Sequence, residues 1–243
     1  MSDRFASRRA LVTGGASGIG LHAARLLRDG GAAVAVLDRV EAAGLDATWI
    51  CADVRDEAAV AGAVADAQDA LDGPPDVLVN AAGVYRIDSL TDLSASAWDE
   101  VLAINLRGSF LVGREVARRL IAAGAPGAIV NVASMAARTA DTAEPSAHYS
   151  ASKAGVLALT RQMAAEWAPR VRVNAVSPGV IDTPMLRLMD DPQAGRAYLD
   201  ARVPLGRLGR AAEVAAVIAF LLSDEASYLT GAEVPVDGGA TIM

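Results

Sequence analysis

Short aliphatic runs rich in β-branched residues alternate along this 243-residue chain with longer stretches of helical periodicity. Most of these runs are continuously apolar, which is typical of parallel strands covered by helices on both faces. Strands are expected at residues 10–13, 33–37, 48–51, 77–80, 128–133, 171–176 and 233–236, and helices at residues 19–28, 57–71, 97–122, 147–167, 184–201 and 212–222. The alternation predicts an α/β fold with one doubly wound sheet of seven parallel strands.

Length and composition predict a single cytoplasmic domain. The chain is long for one domain, but α/β folds reach this size, and no repeat or Pro/Gly/Ser-rich linker divides it. The net charge of −7 argues against a nucleic-acid partner, because such a partner needs concentrated positive charge. The longest apolar run near the C-terminus, residues 214–222, is too short to span a membrane, and the N-terminal residues lack the apolar core of a secretory signal. One cysteine and two histidines predict neither a disulfide framework nor a metal site.

A glycine-rich loop, Thr-Gly-Gly-Ala-Ser-Gly-Ile-Gly at residues 13–20, joins the first predicted strand to the first predicted helix. Glycines let the backbone turn tightly and approach a pyrophosphate, whose charge then lies at a helix N-terminus. Asp38 ends the second predicted strand, where a carboxylate binds the adenosine ribose hydroxyls and repels a 2′-phosphate. The pattern favours NAD as the cofactor over NADP. Arg39 is the complication, since its guanidinium could pair with the extra phosphate of NADP.

Tyr149 and Lys153 lie four residues apart early in a predicted helix, behind the expected N-cap Ser146. This spacing places the phenol and the ammonium on one helix face, where the cation lowers the pKa of the phenol. Lowering that pKa from about 10 to about 7 takes roughly 4 kcal/mol, so a cofactor charge and partial desolvation must contribute as well. Lys153 is the only lysine among 22 basic residues. Its retention indicates a position that needs a compact ammonium rather than a guanidinium.

Two further polar residues lie where chemistry is expected. Asn105 is on the apolar face of the predicted helix 97–122, where a buried amide must find hydrogen-bond partners. Ser134 follows the apolar run 128–133, and catalytic residues of open parallel sheets lie at the carboxyl ends of strands. From spacing alone, a satisfied structural asparagine and a turn-forming serine are equally consistent with these positions.

Together these motifs resemble those of the short-chain dehydrogenase/reductase family over nearly the whole chain. Further matching segments are Asp53-Val54, Asn80-Ala81-Ala82-Gly83, Ser177-Pro178-Gly179, Thr183 and residues 236–239. The resemblance implies one Rossmann-type NAD(P)-binding domain over residues 1–243, with a small substrate lid at about residues 184–204. The expected cofactor-binding residues are Gly14, Ser17, Gly18, Ile19, Gly20, Asp38, Arg39, Asp53, Val54, Asn80, Ala81, Ala82, Gly83, Tyr149, Lys153, Pro178, Gly179, Val180, Ile181 and Thr183.

The resemblance also implies the catalytic roles. Tyr149 is expected to act as general acid/base at the substrate oxygen, and Ser134 to hydrogen-bond that oxygen. Lys153 is expected to hold the nicotinamide ribose, and Asn105 to hold a water that links Lys153 to solvent. The 14 residues between Ser134 and Tyr149 form a slightly enlarged loop, which we expect to line the substrate site.

The expected function is NAD-dependent interconversion of a small or cyclic secondary alcohol, including a diol, with its ketone. A 3-oxoacyl-thioester reductase acting on acyl carrier protein or coenzyme A derivatives is the alternative. A catalytically silent NAD-binding sensor is an alternative of a different class. Family members are mostly homotetramers built through two long helices, so a homotetramer with a small-molecule substrate is expected.

Overall fold

The structure is a computed structural model that describes residues 3–41, 44–140 and 144–242. Its strands are Arg9–Thr13 (β1), Ala33–Asp38 (β2), Thr48–Cys51 (β3), Val77–Asn80 (β4), Gly127–Val132 (β5), Val171–Pro178 (β6), Ile181–Asp182 (β7), Gly209–Arg210 (β8) and Glu233–Val236 (β9). Seven of them form one sheet in the order β3-β2-β1-β4-β5-β6-β9, with every pairing parallel. The predicted doubly wound sheet is confirmed. The strand order reverses between β1 and β4, which is where open α/β sheets bind ligands.

Helices cover both faces of this sheet. They are Gly18–Asp29 (α1), Glu57–Ala70 (α2), Ala95–Leu102 (α3), Gly108–Ala122 (α4), Ala147–Trp167 (α5), Pro192–Arg202 (α6) and Ala211–Leu222 (α7). Because side chains alternate between the faces of a strand, neighbouring β1 residues join different cores. Val12 packs with α1 and α7, whereas Leu11 packs with α2, α4 and α5. The continuously apolar strands therefore reflect burial on both faces.

Two predicted helices differ from the structure. The helix expected at 97–122 is interrupted by a π-helical turn, Ala103–Arg107, which contains Asn105. The helix expected at 184–201 begins later, because Asp191 caps α6 by accepting hydrogen bonds from two backbone amides and Pro192 occupies its first turn. The pair β7 and β8 was not predicted, since two-residue strands carry no periodicity. No described helix is long and apolar enough to cross a bilayer.

Candidate active site

A cavity of about 410 Å³ opens at the carboxyl ends of the central strands. Its volume lies within the range of small-molecule binding sites. Nearly all of the predicted site residues line it, and they are Gly14, Ser17, Gly18, Ile19, Gly20, Asp38, Arg39, Asp53, Val54, Ala81, Ala82, Gly83, Ser134, Tyr149, Lys153, Pro178, Gly179, Val180, Ile181 and Thr183. The structure therefore brings together residues that are far apart in the sequence. Asn80 and Asn105 lie behind this lining.

The glycine loop is packed directly against the segment that follows β4. The Thr13 hydroxyl accepts hydrogen bonds from the backbone amides of Ala81 and Ala82, both at 3.1 Å. Gly14 has φ +66°, and a Cβ at this position would lie 2.7 Å from the Cα of Ala82. The loop then opens α1 at Gly18, whose first backbone amides have no partner within the helix. A left-handed glycine, close backbone approach and a free helix N-terminus fit the pyrophosphate of a dinucleotide.

Asp38 lines the cavity at the end of β2, and backbone amides fix the position of its carboxylate. Its carboxylate accepts hydrogen bonds from the backbone amide of Ala16 at 3.1 Å and from that of Arg39 at 2.7 Å. The Arg39 residue is exposed, at the cavity rim. Asp53, the next acidic residue of the lining, is bound by the Arg55 guanidinium, and this hydrogen bond holds the pKa of Asp53 below its usual range. The Asp53 carboxylate therefore remains negative at neutral pH.

Ser134, Tyr149 and Lys153 meet at the centre of the cavity. Ser134 follows the end of β5, and its hydroxyl is hydrogen-bonded to the phenol of Tyr149. The Lys153 ammonium lies 5.7 Å from the centroid of the Tyr149 ring, as the four-residue spacing on α5 predicts. It donates a 2.7 Å hydrogen bond to the carbonyl of Val132. A proton-transfer group, a hydroxyl and a cation therefore share one wall of the cavity.

The ionisation of this centre differs from the sequence-based expectation. Burial raises the pKa of the Tyr149 phenol, and the hydrogen bond from Ser134 opposes that effect only in part. Burial also lowers the pKa of Lys153 to about 8. The expected lowering of the Tyr149 pKa by Lys153 stays a prediction, and without a cofactor the net shift of that pKa is upward. The reason is that removal from water disfavours the charged form of both groups.

Asn105 is completely buried in the π-helical turn. Its side-chain oxygen accepts a 2.8 Å hydrogen bond from the Val84 amide, and its nitrogen donates to the Val84 carbonyl at 3.0 Å. The same nitrogen donates to the Ser152 hydroxyl, which in turn donates to the Tyr149 carbonyl at 2.7 Å. Through these hydrogen bonds, Asn105 links the segment after β4 to the helix that carries Tyr149. A π-helical turn is often found at functional sites, and the water between Asn105 and Lys153 stays a prediction.

Asn80 supports the cavity from behind. Its amide nitrogen donates to Asn131 on β5 at 2.9 Å, and Asn131 donates to the Thr160 hydroxyl on α5 at the same distance. Both asparagines are buried. These hydrogen bonds join β4, β5 and α5, so they fix the spacing between the strand that precedes Ala81 and the helix that carries Tyr149. Asn80 is therefore placed to position the site rather than to line it.

Tyr85 and Glu144 belong to the site although they were not predicted. The Tyr85 ring packs edge-on against that of Tyr149, with centroids 4.8 Å apart, and its hydroxyl donates to Glu144 at 2.6 Å. Burial raises the pKa of Tyr85 well above its ordinary value. Ser146 begins α5 as predicted, but its side chain bonds to Tyr85 instead of capping the helix. The enlarged loop indicated this region, and Tyr85 lies only two residues beyond Gly83.

The expected lid contributes an apolar wall. Met185, Leu186, Leu188 and Tyr198 line the cavity, whereas Met189 packs with its sulfur towards Gly195. Part of the segment 184–204 therefore borders the cavity, and its role as a substrate lid stays a prediction. Whether this segment moves stays a prediction.

Known proteins of similar sequence show the family to which this chain belongs. A family model described as enoyl-(acyl carrier protein) reductase matches residues 14–241. The chain is 46% identical to cis-4-hydroxycyclohexanecarboxylate dehydrogenase of Sinomonas cyclohexanicum, over 100% of both chains. The chain belongs to the short-chain dehydrogenase/reductase family. The resemblance inferred from the motifs is confirmed, and the protein is an oxidoreductase of a family that binds a nicotinamide cofactor.

Other short-chain dehydrogenases/reductases extend the comparison. The chain is 42% identical to galactitol 2-dehydrogenase (L-tagatose-forming) of Cereibacter sphaeroides, covering 96% of this chain and 94% of the other. It also superimposes with a TM-score of 0.89 on an Agrobacterium tumefaciens protein described as a proposed 2-deoxy-D-gluconate 3-dehydrogenase, which was solved with bound NADP. That pair is 34% identical, with 98% of each chain covered.

Proposed function

We propose that the protein is an NAD-dependent dehydrogenase that interconverts a small or cyclic secondary alcohol with its ketone. The observation that carries this proposal is the arrangement of Ser134, Tyr149 and Lys153 beside the glycine loop in a single cavity. The two sequence relatives from Sinomonas cyclohexanicum and Cereibacter sphaeroides are consistent with it, since both are named as dehydrogenases of hydroxylated small molecules.

Each residue has a definite task in this chemistry. A bound nicotinamide supplies the hydride acceptor for alcohol oxidation. Ser134 hydrogen-bonds the substrate oxygen and orients it towards Tyr149. Tyr149, as its phenolate, takes the proton of the substrate hydroxyl and becomes a phenol, a transfer that typically contributes about 10²–10⁴-fold to the rate. Lys153 stabilises the negative charge of the phenolate, while Asn105 holds the helix that carries both groups.

The proposed preference for NAD rests on Asp38. Its fixed carboxylate suits the two ribose hydroxyls of NAD and opposes the 2′-phosphate of NADP. One similar structure holds NADP, so we propose a direct comparison. Asp38→Asn should raise the ratio of kcat/KM for NADP over NAD by about tenfold, equivalent to about 1.4 kcal/mol. The matched control is Asp29→Asn, at the exposed end of α1. A wild-type preference for NADP would show that Arg39 outweighs Asp38.

Reduction of 3-oxoacyl thioesters is the second candidate, because the chain is also 36% identical to (3R)-3-hydroxyacyl-CoA dehydrogenase of Mus musculus, with 97% of each chain covered. An acidic carrier protein calls for a basic docking patch, whereas this chain carries a net charge of −7. The preference for NAD also favours oxidation over biosynthetic reduction. A silent NAD sensor is disfavoured, since it would not need the retained proton-transfer group at Tyr149.

The deciding experiment follows nicotinamide absorbance. NAD and NADP are offered with secondary alcohols and cyclic diols, and NADH and NADPH with a 3-oxoacyl thioester. We expect turnover of an alcohol with NAD, and loss of that turnover by about 10²–10⁴-fold in Tyr149→Phe. Tyr228→Phe, at a fully exposed tyrosine, is the matched control. Thioester reduction without alcohol oxidation would favour the second candidate, and NADH binding without any turnover would favour the sensor.

We further propose a cytoplasmic homotetramer. The α3–α4 and α5 surface exposes apolar side chains along an open groove, namely those of Leu102, Leu106, Phe110 and Leu159. Burial of this groove between copies of the chain would stabilise an assembly. The free, exposed Cys51 suits a reducing compartment. Light scattering on the wild type and on Phe110→Arg tests the assembly, since the charge should split the tetramer into smaller units.

A further inference from the structure

A polar pair stands beside the catalytic tyrosine, and the proton-transfer chemistry does not use it. The hydroxyl of Tyr85 donates its only proton to Glu144 at 2.6 Å, while the Tyr85 ring contacts the Tyr149 ring. Both side chains are half-buried and line the cavity. Within the described residues, no arginine, lysine or histidine forms an ion pair with Glu144. The pair therefore presents a carboxylate without a counter-charge to whatever molecule Tyr149 acts on.

We infer that Tyr85 and Glu144 bind a second hydroxyl group of the substrate, on the carbon next to the one that is oxidised. This inference rests on the proposed function and narrows its substrate class to vicinal diols, polyols included. The two tyrosine rings are in contact, with centroids 4.8 Å apart, so the second binding position lies on the same side of the cavity as Tyr149. Hydroxyl groups on neighbouring carbons lie close enough together for one substrate to reach both residues.

The hydrogen-bonding capacity of the pair matches a hydroxyl group. Among the described residues, Glu144 uses one oxygen for Tyr85, which leaves its other oxygen as an acceptor for a donor on the substrate. Tyr85 has no proton left to donate, and the Ser146 side chain already bonds to its oxygen, so this oxygen has one lone pair left to accept a hydrogen bond. A hydroxyl can donate to a carboxylate in a charge-assisted hydrogen bond, which is stronger than a neutral one. A hydrocarbon carbon at this position makes neither bond, and a carboxylate is repelled by Glu144.

These hydrogen-bonding properties predict the order of kcat/KM values among related substrates. A site that hydrogen-bonds a substrate hydroxyl discriminates against the analogue that lacks it, because its own polar groups are then left without partners. Glu144 is only half-buried, so water partly replaces the missing hydroxyl. The wild type should therefore have a kcat/KM for 1,2-cyclohexanediol about tenfold higher than for cyclohexanol, far below the limit of a fully enclosed site. It should act least well on 2-hydroxycyclohexanecarboxylate.

The test compares these three substrates, as cis and trans isomers where they exist, in the wild type and in Glu144→Gln. The variant keeps the shape of the side chain and removes its charge. We expect kcat/KM to fall about tenfold for the diol, to stay unchanged for cyclohexanol, and to rise for the hydroxy acid. Opposite changes of kcat/KM for the diol and the hydroxy acid would show that the charge of Glu144 acts on the bound substrate. A disturbance of the fold would lower all three values together.

Two more variants complete the test. Glu166→Gln, at an exposed position of α5, makes the same charge change away from the cavity and should alter none of the ratios. Tyr85→Phe removes the accepting hydroxyl and should lower turnover of the diol but not of cyclohexanol. Its result decides the matter if Glu144→Gln does not fold.

The experiment distinguishes failure of this inference from failure of the proposed function. Equal kcat/KM values for diol and cyclohexanol, unaffected by Glu144→Gln, would overturn this inference and leave the proposed alcohol dehydrogenase intact. No oxidation of any alcohol by a folded wild type that binds NADH would overturn the proposed function, and this inference with it.

Discussion

Lys153 is expected to destabilise the folded protein at neutral pH, so its replacement by methionine separates stability from activity. The side chain is only 6% exposed, and no carboxylate in the described part of the chain pairs with it. Burial lowers its pKa from 10.5 to about 8. A shift of this size corresponds to about 3 kcal/mol. In the absence of cofactor, the folded chain carries this penalty whenever the ammonium is charged.

The sign of the pH dependence follows from the two pKa values. Below pH 8 the lysine is protonated in both the folded and the unfolded chain, so the full penalty is present. Between pH 8 and 10.5 the folded chain releases its proton first, and the free energy of unfolding therefore rises with pH. The variant Lys153→Met lacks this titration. The stability of the variant relative to the wild type should fall by about 3 kcal/mol between pH 7 and pH 10.5.

Loss of the hydrogen bond to Val132 changes the difference in free energy of unfolding between the variant and the wild type by the same amount at every pH, so its pH dependence is unaffected. Removing that bond destabilises the variant by about 1–3 kcal/mol at every pH. At pH 7 the variant should therefore be as stable as the wild type or more stable by up to about 2 kcal/mol. The change with pH, rather than the absolute difference, measures the pKa shift.

Urea unfolding at several pH values without cofactor provides the assay. Because the chain has a single lysine, no other lysine titrates in the window. Repeating the comparison in a Tyr149→Phe background removes the nearest phenol. The variant should also lose alcohol oxidation, since the phenolate is then without its cation. A stability difference that stays constant from pH 7 to pH 10.5 would refute the depressed pKa and the argument built on it.

Two further variants test the framework of the site. Gly14→Ala places a Cβ 2.7 Å from the backbone of Ala82 and should greatly weaken NADH binding, measured by fluorescence titration. Gly124→Ala has the same positive φ but open space around its Cβ, so it should destabilise the chain only by about 1 kcal/mol and leave binding intact. Asn105→Ala leaves both polar groups of Val84 unpaired and should reduce the free energy of unfolding by about 2–4 kcal/mol. A loss below about 1 kcal/mol in urea would contradict this assignment.

The sheet and the glycine loop could be predicted because their signals are local. The run at 10–13 lies within Arg9–Thr13, and the run at 33–37 lies within Ala33–Asp38. Burial on both faces makes such strands continuously apolar, and the tight turn after β1 requires glycine. Asp38 could be located for the same reason, since it ends a recognisable strand.

The second polar position could not be predicted, because it is created by tertiary contacts. Tyr85 and Glu144 are separated by 58 intervening residues, and only the folded chain brings the Tyr85 hydroxyl to the carboxylate. The π-helical turn was missed since its residues have ordinary helical periodicity. Asn105 lies in this turn and its amide group is hydrogen-bonded to the Val84 backbone, a contact that no spacing rule reveals.

Burial of the Lys153 ammonium explains both why this chain retains one lysine among its arginines and why that lysine destabilises the fold. Arginine serves elsewhere in this chain because exposed cations need only charge and reach. At Lys153 the ammonium must fit a buried position against the Val132 carbonyl while facing the Tyr149 ring. A guanidinium is larger and cannot release its proton at any accessible pH, so burying it would destabilise the fold further. The position therefore retains the smaller cation despite its effect on stability, as expected where function and stability make opposing demands.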